Sequence, residues 1–154
     1  MDDEASKPVV LIGREQTDHV SIRVLGRMHP GADDYWDGNW LVAPVDVVAG
    51  GFSGTVGSGL RAEELAAFRR QLAEVYRSLE GSAKLVSMED WLEIVVEIDS
   101  VGHLEIRGRA CDRPGVGNVL AFGIADLDQS DLPAMIAALD DVELSFPVIG
   151  SPKD

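Results

Sequence analysis

The stretch "WLEIVVEIDSVGHLEIRGRA", residues 91–110, contains the pattern that decides the fold. Apolar and polar residues alternate on both sides of the tetrapeptide at 99–102. Because successive side chains of a strand point to opposite faces, this alternation predicts two strands with one apolar and one polar face. The tetrapeptide has the composition of a turn. We therefore predict a hairpin in an antiparallel sheet that has one solvated face.

Other segments extend this sheet. "HVSIRVL" at 19–25 and "NVLAFGIA" at 118–125 also alternate with period two and are predicted strands. "LVAPVDVV" at 41–48 and "GFSGTV" at 51–56 are further candidates. Pro44 cannot donate a backbone hydrogen bond, so it predicts an edge strand or a bulge in the former.

Two stretches have the spacing of amphipathic helices. The longer covers about residues 60–80, with Ser58 as its predicted N-cap and Gly81 after its C-terminus. The shorter covers about residues 130–140, with Ser130 as its predicted N-cap. The segment "VELSFPVIG" that follows is expected to form a strand or an ordered tail. The predicted fold class is α+β: a mostly antiparallel sheet, one long helix and one short C-terminal helix.

The 154 residues are expected to form a single domain, residues 1–154, with flexible tails at 1–7 and 151–154. No apolar run approaches the roughly 18–20 residues that span a bilayer, and the acidic start does not resemble a signal peptide. The chain has one cysteine, which excludes an internal disulfide. These features predict a cytoplasmic protein of bacterial type that does not bind a membrane.

The net charge of −14 limits the partners that this chain can bind. A phosphate backbone requires a basic surface, so nucleic acid is disfavoured as a direct ligand, and anionic membranes are disfavoured for the same reason. A basic protein partner is compatible with the charge, which would speed its encounter.

A glycine-rich stretch, "GGFSGTVGSGLRAEEL" at 50–65, precedes the long helix. Residues 57–62 match G-x-G-x-x-A, but no Lys-Ser or Lys-Thr pair follows, so the stretch is not a P-loop. We interpret it as a strand with a bulge that turns into the helix. The alternative is a small-ligand or phosphate-binding protein that uses this turn.

No residue pattern predicts catalysis, a cofactor or a metal. His19, His29, His103 and Cys111 are isolated in sequence and lack metal-ligand spacing. There is no G-x-S-x-G nucleophile motif. We therefore predict that the chain is not an enzyme and carries neither cofactor nor metal.

The stretch "ADDYWDGNWL", residues 32–41, places aromatic rings among acids. Its Asp-Gly pair is a hairpin-turn signal. One interpretation is that its tryptophans close one end of the core, and the other is that the stretch binds a partner, since Tyr and Trp are enriched in binding hot spots. The candidate partner-binding residues are Asp33, Asp34, Tyr35, Trp36, Asp37 and Trp40.

An ordered series of motifs resembles one family. These are "DYWDGNWL", "GGFSGTV", "EEL..F", "GSAKLVSMEDWLEI", "GHLEIRG", "L.F.I..LDQSDLP" and "PVIG". The series, from about residue 18 to residue 150, is similar to bacterial WapI-type immunity proteins. No set of binding residues carries over with it.

The resemblance implies a small cytosolic protein that neutralises the toxic C-terminal domain of a contact-dependent secreted toxin. For the namesake, that domain is a nuclease acting on tRNA. The implied mechanism is stoichiometric inhibition, in which an acidic surface covers a basic RNA-binding cleft. The remaining alternative is an oligomerising structural domain whose sheet edge or aromatic patch pairs with a second copy.

Overall fold

A computed structural model describes residues 7–153, and the elements below are those of this range. The strands are β1 (Val9–Gly13), β2 (His19–Arg23), β3 (Gly26–Arg27), β4 (Trp40–Val42), β5 (Val45–Ala49), β6 (Phe52–Val56), β7 (Gly59–Arg61), β8 (Ser82–Val86), β9 (Leu92–Ile98), β10 (His103–Cys111) and β11 (Val119–Asp128). The helices are α1 (Tyr35–Gly38), α2 (Ala62–Ser78) and α3 (Leu132–Ser145), and a 3-10 turn at Gln129–Asp131 precedes α3. The predicted α+β class is confirmed.

The strands form three antiparallel sheets. One sheet has the order β1-β2-β5-β6, a second β11-β10-β9-β8, and a small third β3-β4-β7. The inward side chains of these sheets and the apolar faces of α2 and α3 form a common core. In the described residues, no helix is both long enough and apolar enough to cross a membrane.

The hairpin predicted at 91–110 is confirmed as β9 and β10. Alternate residues of β9 are buried, namely Leu92, Ile94 and Val96. In the turn, Asp99 Oδ1 accepts hydrogen bonds from the backbone N–H groups of Val101 and His103, both at 2.9 Å. The burial of one strand face and a turn capped by its own residue explain why the local sequence pattern predicts this hairpin correctly.

Four strands were not predicted, and one candidate strand is divided. β1 was missed because its sequence, VVLIG, is almost continuously apolar, and β3 and β7 because they have only two and three residues. β8 was missed although its burial alternates over five residues, as it does in β2. The candidate at 41–48 forms both β4 and β5, which lie in different sheets. The chain passes between these sheets at Pro44, so the proline marks a break between two strands.

The ends of the long helix differ from the prediction. The N-cap is Arg61 and not Ser58, which is buried and donates its hydroxyl to the carbonyl of Ala43. The C-cap is Leu79, whose φ of 57° places it in the left-handed region two residues before Gly81. Ser58 cannot cap the helix because it is buried and its hydroxyl is bonded to Ala43 O. Local composition therefore suggested caps that the folded chain does not use.

The C-terminal helix is longer than predicted. Asp128 caps the 3-10 turn by accepting from the backbone N–H of Ser130 at 2.8 Å, so the predicted N-cap role of Ser130 is wrong. Helix α3 continues to Ser145 because Val142 extends its buried stripe. Residues 142–145 are therefore helical and not a strand. Residues 1–6 and 154 of the predicted tails lie outside the described residues, and residues 151–153 are exposed.

Candidate functional site

Residues 32–41 fold as a loop that contains a single helical turn. The predicted hairpin turn at Asp37-Gly38 is wrong: α1 spans Tyr35–Gly38, and the strands that this loop joins are β3 and β4. Asp34 is the N-cap, and its carboxylate accepts from the backbone N–H of Asp37 at 3.0 Å. The prediction that Trp40 enters a strand is confirmed.

The C-terminal segment after α3 packs against this turn. Asn39 is fully buried and forms a two-way bridge: its side-chain oxygen accepts from Ile149 N, and its Nδ2 donates to Ile149 O, both at 2.8 Å. Its Nδ2 also donates to Tyr35 O at 2.9 Å. A Cβ on Gly38 would lie 3.3 Å from the Ile149 side chain and 3.0 Å from Ala32 O. This glycine is therefore used for close packing and not for a hairpin.

Arg27 joins the same segment to the turn from the other side. Its guanidinium donates to Gly38 O at 2.8 Å and to Pro147 O at 2.7 Å. It also lies 5.8 Å from the ring centroid of Phe146, a cation–π distance. Burial lowers the pKa of Arg27. The turn is thus clamped by contacts from residues more than 100 positions away in sequence.

Arg61, at the start of α2, holds the aromatic residues of the turn. Its side chain is completely buried and donates to Trp36 O at 2.7 Å and Tyr35 O at 2.8 Å. The guanidinium carbon lies 5.2, 5.5 and 4.8 Å from the ring centroids of Tyr35, Trp36 and Trp40. A buried guanidinium with aromatic and carbonyl partners is a costly group that persists only when its donors are satisfied. It therefore fixes the position of the turn.

Glu63 supplies the counter-charge of Arg61, to which it is bonded through Oε2. Its other oxygen, Oε1, is buried and accepts no hydrogen bond from residues 7–153. Burial and then the nearby Glu63 charge raise the pKa of Tyr35. The phenol is thus neutral throughout the physiological pH range.

Glu64 connects the start of α2 to the loop between β8 and β9. Its two oxygens accept from Arg61 N at 2.8 Å and Met88 N at 2.6 Å. Burial raises the pKa of Glu64 from 4.5 to about 7, although both backbone donors act in the opposite direction. This carboxylate therefore titrates near neutral pH.

The candidate binding residues differ in exposure. Asp33, Asp34 and Asp37 are exposed, Trp36 is 48% exposed, and Tyr35 and Trp40 are half-buried. The interpretation that the tryptophans close the core is therefore wrong for Trp36. Its ring stands edge-on to that of Tyr35, with centroids 5.0 Å apart. We call the group Asp33, Asp34, Tyr35, Trp36, Asp37 and Trp40 the acidic aromatic surface.

Within residues 7–153, none of its three carboxylates has a salt-bridge partner. The surface thus presents unpaired negative charge beside a partly exposed indole. Its supporting residues are Arg27, Asn39, Arg61 and Ile149, and none of them was predicted. The only sequence signal for Arg61 was an arginine between a glycine-rich stretch and a helix, a position where solvent exposure is the usual expectation.

The glycine-rich stretch is not arranged as a phosphate loop. The first helical N–H, that of Ala62, donates to Asn39 O at 2.9 Å, and the N–H of Arg61 is taken by Glu64. Gly59 lies in β7 and packs beside the flexible end of the Met28 side chain. The stretch forms strands β6 and β7 and leads into α2, as interpreted, but β6 pairs with β5 in a continuous register, so the predicted bulge is wrong. Within the described range, no group of three or more His, Cys, Asp or Glu could hold a metal ion.

Comparison with known proteins assigns the chain to a family. No curated protein matches it. The model of the Immunity protein WapI-like family matches residues 11–147. This range contains α2, α3, the whole acidic aromatic surface and every strand except the first two residues of β1. The resemblance seen in the sequence motifs is confirmed. The chain belongs to the WapI-like immunity protein family.

Proposed function

We propose that this chain is a cytosolic protein that binds the toxic domain of its cognate secreted toxin and neutralises it by stoichiometric inhibition. The contact is made by the acidic aromatic surface. The partner domain is basic and acts as a nuclease. Membership of an immunity family supports a toxin-binding role, and the net charge of −14 supports a basic partner.

One observation carries the choice of surface. Trp36 is 48% exposed, yet its backbone carbonyl is held at 2.7 Å by the buried Arg61. Tryptophans that are exposed in the free protein and fixed in position are typical binding anchors, because little conformational freedom is lost on binding. The neighbouring carboxylates lack salt-bridge partners within the described residues, so a cationic partner displaces no internal ion pair.

The mechanism follows from the chemistry of nuclease clefts. A domain that binds RNA does so through a basic surface that contacts phosphates. Asp33, Asp34 and Asp37 offer carboxylates to the same basic side chains, and Trp36 offers an aromatic face to the toxin side chains on which bases would stack. Binding therefore blocks the cleft, with one immunity protein occupying one toxin domain.

A charge-reversal pair tests the surface. Asp33→Lys with Asp37→Lys leaves the N-cap Asp34 in place, and the matched control is Asp141→Lys with Glu143→Lys, two exposed positions on α3 with the same change in net charge. Association with the cognate toxic domain is measured by surface plasmon resonance. We expect the first pair to slow association about tenfold or more at low salt, with a much smaller effect at high salt. Equal slowing by both pairs would show that only total charge matters.

A second substitution tests the aromatic anchor. Trp36→Ala should weaken binding by about 2 kcal/mol, roughly 30-fold, because a central anchor is lost. Tyr76→Ala is the matched control, since Tyr76 is 45% exposed on α2 and lies outside the surface. Unchanged affinity of the Trp36 variant, or an equal loss in both, would exclude this surface as the contact.

A further inference from the structure

Strands β6 and β11 are the edges of two different sheets, and both border one groove. Each has a hydrogen-bonded neighbour on one side only within the described residues: β5 for β6 and β10 for β11. Two adjoining pockets lie between them, and both are lined by Phe52 and Leu120. An edge strand presents unpaired N–H and C=O groups, so the groove has backbone hydrogen-bonding groups on both walls.

The groove is suited to an extended chain. Its two parts have volumes of about 240 and 370 Å³ and are lined by residues of both strands. Residues 52–56 and 119–123 carry no charged side chain and no proline. Phe52 is 69% exposed and Val119 is 52% exposed. These are features that natural edge strands usually avoid, because they invite pairing with another strand.

Gly54 leaves the centre of β6 without a side chain. A Cβ at this position would meet no atom within 4 Å, and its φ is not positive, so neither packing nor backbone geometry requires glycine. Gly108 is the contrasting case, since a Cβ there would lie 2.2 Å from the Phe122 ring. Glycine inside a strand is destabilising and often marks close approach of another backbone. No side chain at residue 54 therefore obstructs the approach of another strand to β6.

The charges at the two ends of the groove indicate which chain fits. Asp18 lines the end near Phe52, and Asp112 lines the end near Asn118. Asp18 accepts from Gly50 N at 2.9 Å, and Asp112 accepts from Asn118 N at 2.7 Å, so both carboxylates are held in place. Neither has a salt-bridge partner among residues 7–153. A second copy of this acidic chain would bring like charges together, whereas a strand with basic ends would be attracted.

We propose that the groove between β6 and β11 binds an extended segment of the toxin, a short apolar stretch flanked by basic residues. The segment pairs through its backbone with one or both strand edges and places its basic ends near Asp18 and Asp112. This mode of binding is β-augmentation. The choice of a toxin as the natural partner rests on the proposed function, while the groove and its preference for a basic strand do not.

A capped synthetic heptapeptide of sequence KVTVTVK probes the groove without any toxin. Amide hydrogen exchange is measured by NMR on the full chain with and without excess peptide. We expect exchange at residues 52–56 or 119–123 to slow at least tenfold, with no change at the opposite edges of the two sheets, β1 and β8. Absence of slowing at both segments with millimolar peptide would overturn the proposal.

Two control peptides separate backbone pairing and charge. The peptide EVTVTVE should bind at least tenfold more weakly, and a KVTVTVK peptide with alternate N-methylated residues should give no slowing because its donors are blocked. Equal protection by the acidic peptide would overturn the assignment of a basic partner. Equal protection by the methylated peptide would overturn strand pairing. Both controls use the unmodified protein, so they do not depend on how a variant folds.

A pair of glycine variants locates the binding. Gly54→Val places a side chain in the groove, and Gly26→Val is the matched control in β3, where a Cβ also meets nothing within 4 Å. We expect only the Gly54 variant to lose peptide protection. Retention of protection in that variant would contradict the proposal.

The oligomeric state tests whether a second copy of this chain occupies the groove. We expect analytical ultracentrifugation to show a monomer at millimolar concentration. A dimer whose amides at 52–56 or 119–123 are already protected would show that the groove belongs to a second copy and would overturn the proposal.

If the peptide binds but the toxin is not neutralised, the proposed function fails and the groove stands. If the toxin is neutralised but the peptide does not bind, the groove fails and the proposed function stands.

Discussion

The hairpin at residues 91–110 and the aromatic turn at residues 32–41 both connect paired antiparallel strands, but different interactions stabilise them. The hairpin buries alternate residues of β9, and its turn is capped by Asp99, which lies within it. The aromatic turn is held by Arg61 and Ile149, which lie outside it in sequence. The hairpin is thus encoded locally, while the turn takes its shape from distant residues.

This difference shows which structural features can be predicted from residue patterns. Alternation in a strand reports a face, and the face is buried whatever the partner is. Asp37-Gly38 looked like a hairpin turn because that dipeptide often is one. Here Gly38 is needed for its lack of a side chain against Ile149. A local signal can therefore be present for a tertiary reason.

The largest expected effect tests the hairpin. Ile94 is fully buried in β9, so Ile94→Ala should lower the free energy of unfolding by about 4 kcal/mol through lost burial and a cavity. Urea denaturation measures this change. Glu93→Ala, on the exposed face of the same strand, should change stability by about 0.5 kcal/mol or less. Similar losses in both variants would mean that alternation does not determine burial here.

A slightly smaller effect tests the turn. Arg61→Ala should cost about 3 kcal/mol, because the carbonyls of Tyr35 and Trp36 and the Glu63 carboxylate lose their donor. The near-ultraviolet circular dichroism of the tryptophans should weaken as well. Arg70→Ala, at an exposed position of the same helix, is the control and should cost about 0.5 kcal/mol or less. A loss below about 1 kcal/mol for Arg61→Ala would contradict the role of the guanidinium as the support of the turn.

An effect of intermediate size is expected in the dependence of stability on pH. Because the folded-state pKa of Glu64 is raised from 4.5 to about 7, the folded protein binds this proton more tightly than the unfolded chain. Its contribution to stability is therefore complete below pH 4.5 and is lost as pH rises through 7. Allowing for partial solvent screening, we expect about 1–2 kcal/mol across this window.

Glu64→Gln isolates that contribution. The variant should lose part of the hydrogen bonding to Arg61 N and Met88 N at every pH, but the decline in stability between pH 4.5 and 7.5 should be shallower than in the unmodified chain. Chemical denaturation across this pH range measures the slope. Glu80→Gln, at an exposed position, should leave the slope unchanged. Parallel profiles for Glu64→Gln and the unmodified chain would refute the assignment.

The smallest expected effect separates surface from core. Because Trp36 is half exposed, Trp36→Ala should cost only about 1 kcal/mol of stability, against roughly 3–5 for a fully buried tryptophan. Trp91 packs against the core and is the comparison, with an expected loss of about 2 kcal/mol or more for Trp91→Ala. Thermal denaturation of both variants measures this. A loss of 3 kcal/mol or more at Trp36 would restore the interpretation that it closes the core.

Much of the fold could be predicted from the sequence because its strands and helices are amphipathic. β9, β10, α2 and the apolar stripe of α3 follow directly from periodicity. The division of the strands into three sheets did not follow, since the break at Pro44 reads equally as an edge or a bulge. The acidic and aromatic candidates were recognisable by residue type, but their support was not, because a buried arginine and a buried asparagine have no local signature.

By itself, the sequence determined the α+β class, the central hairpin, the two main helices and, through its ordered motifs, the family. These depend on residue periodicity and identity, which are properties of the chain alone. Only the tertiary structure decided that Asp37-Gly38 lies in a helical turn, that Arg61 is buried beneath three aromatic rings, and that β6 and β11 border one groove. Those features arise where segments distant in sequence meet, and the energy of such contacts is absent until the chain has folded.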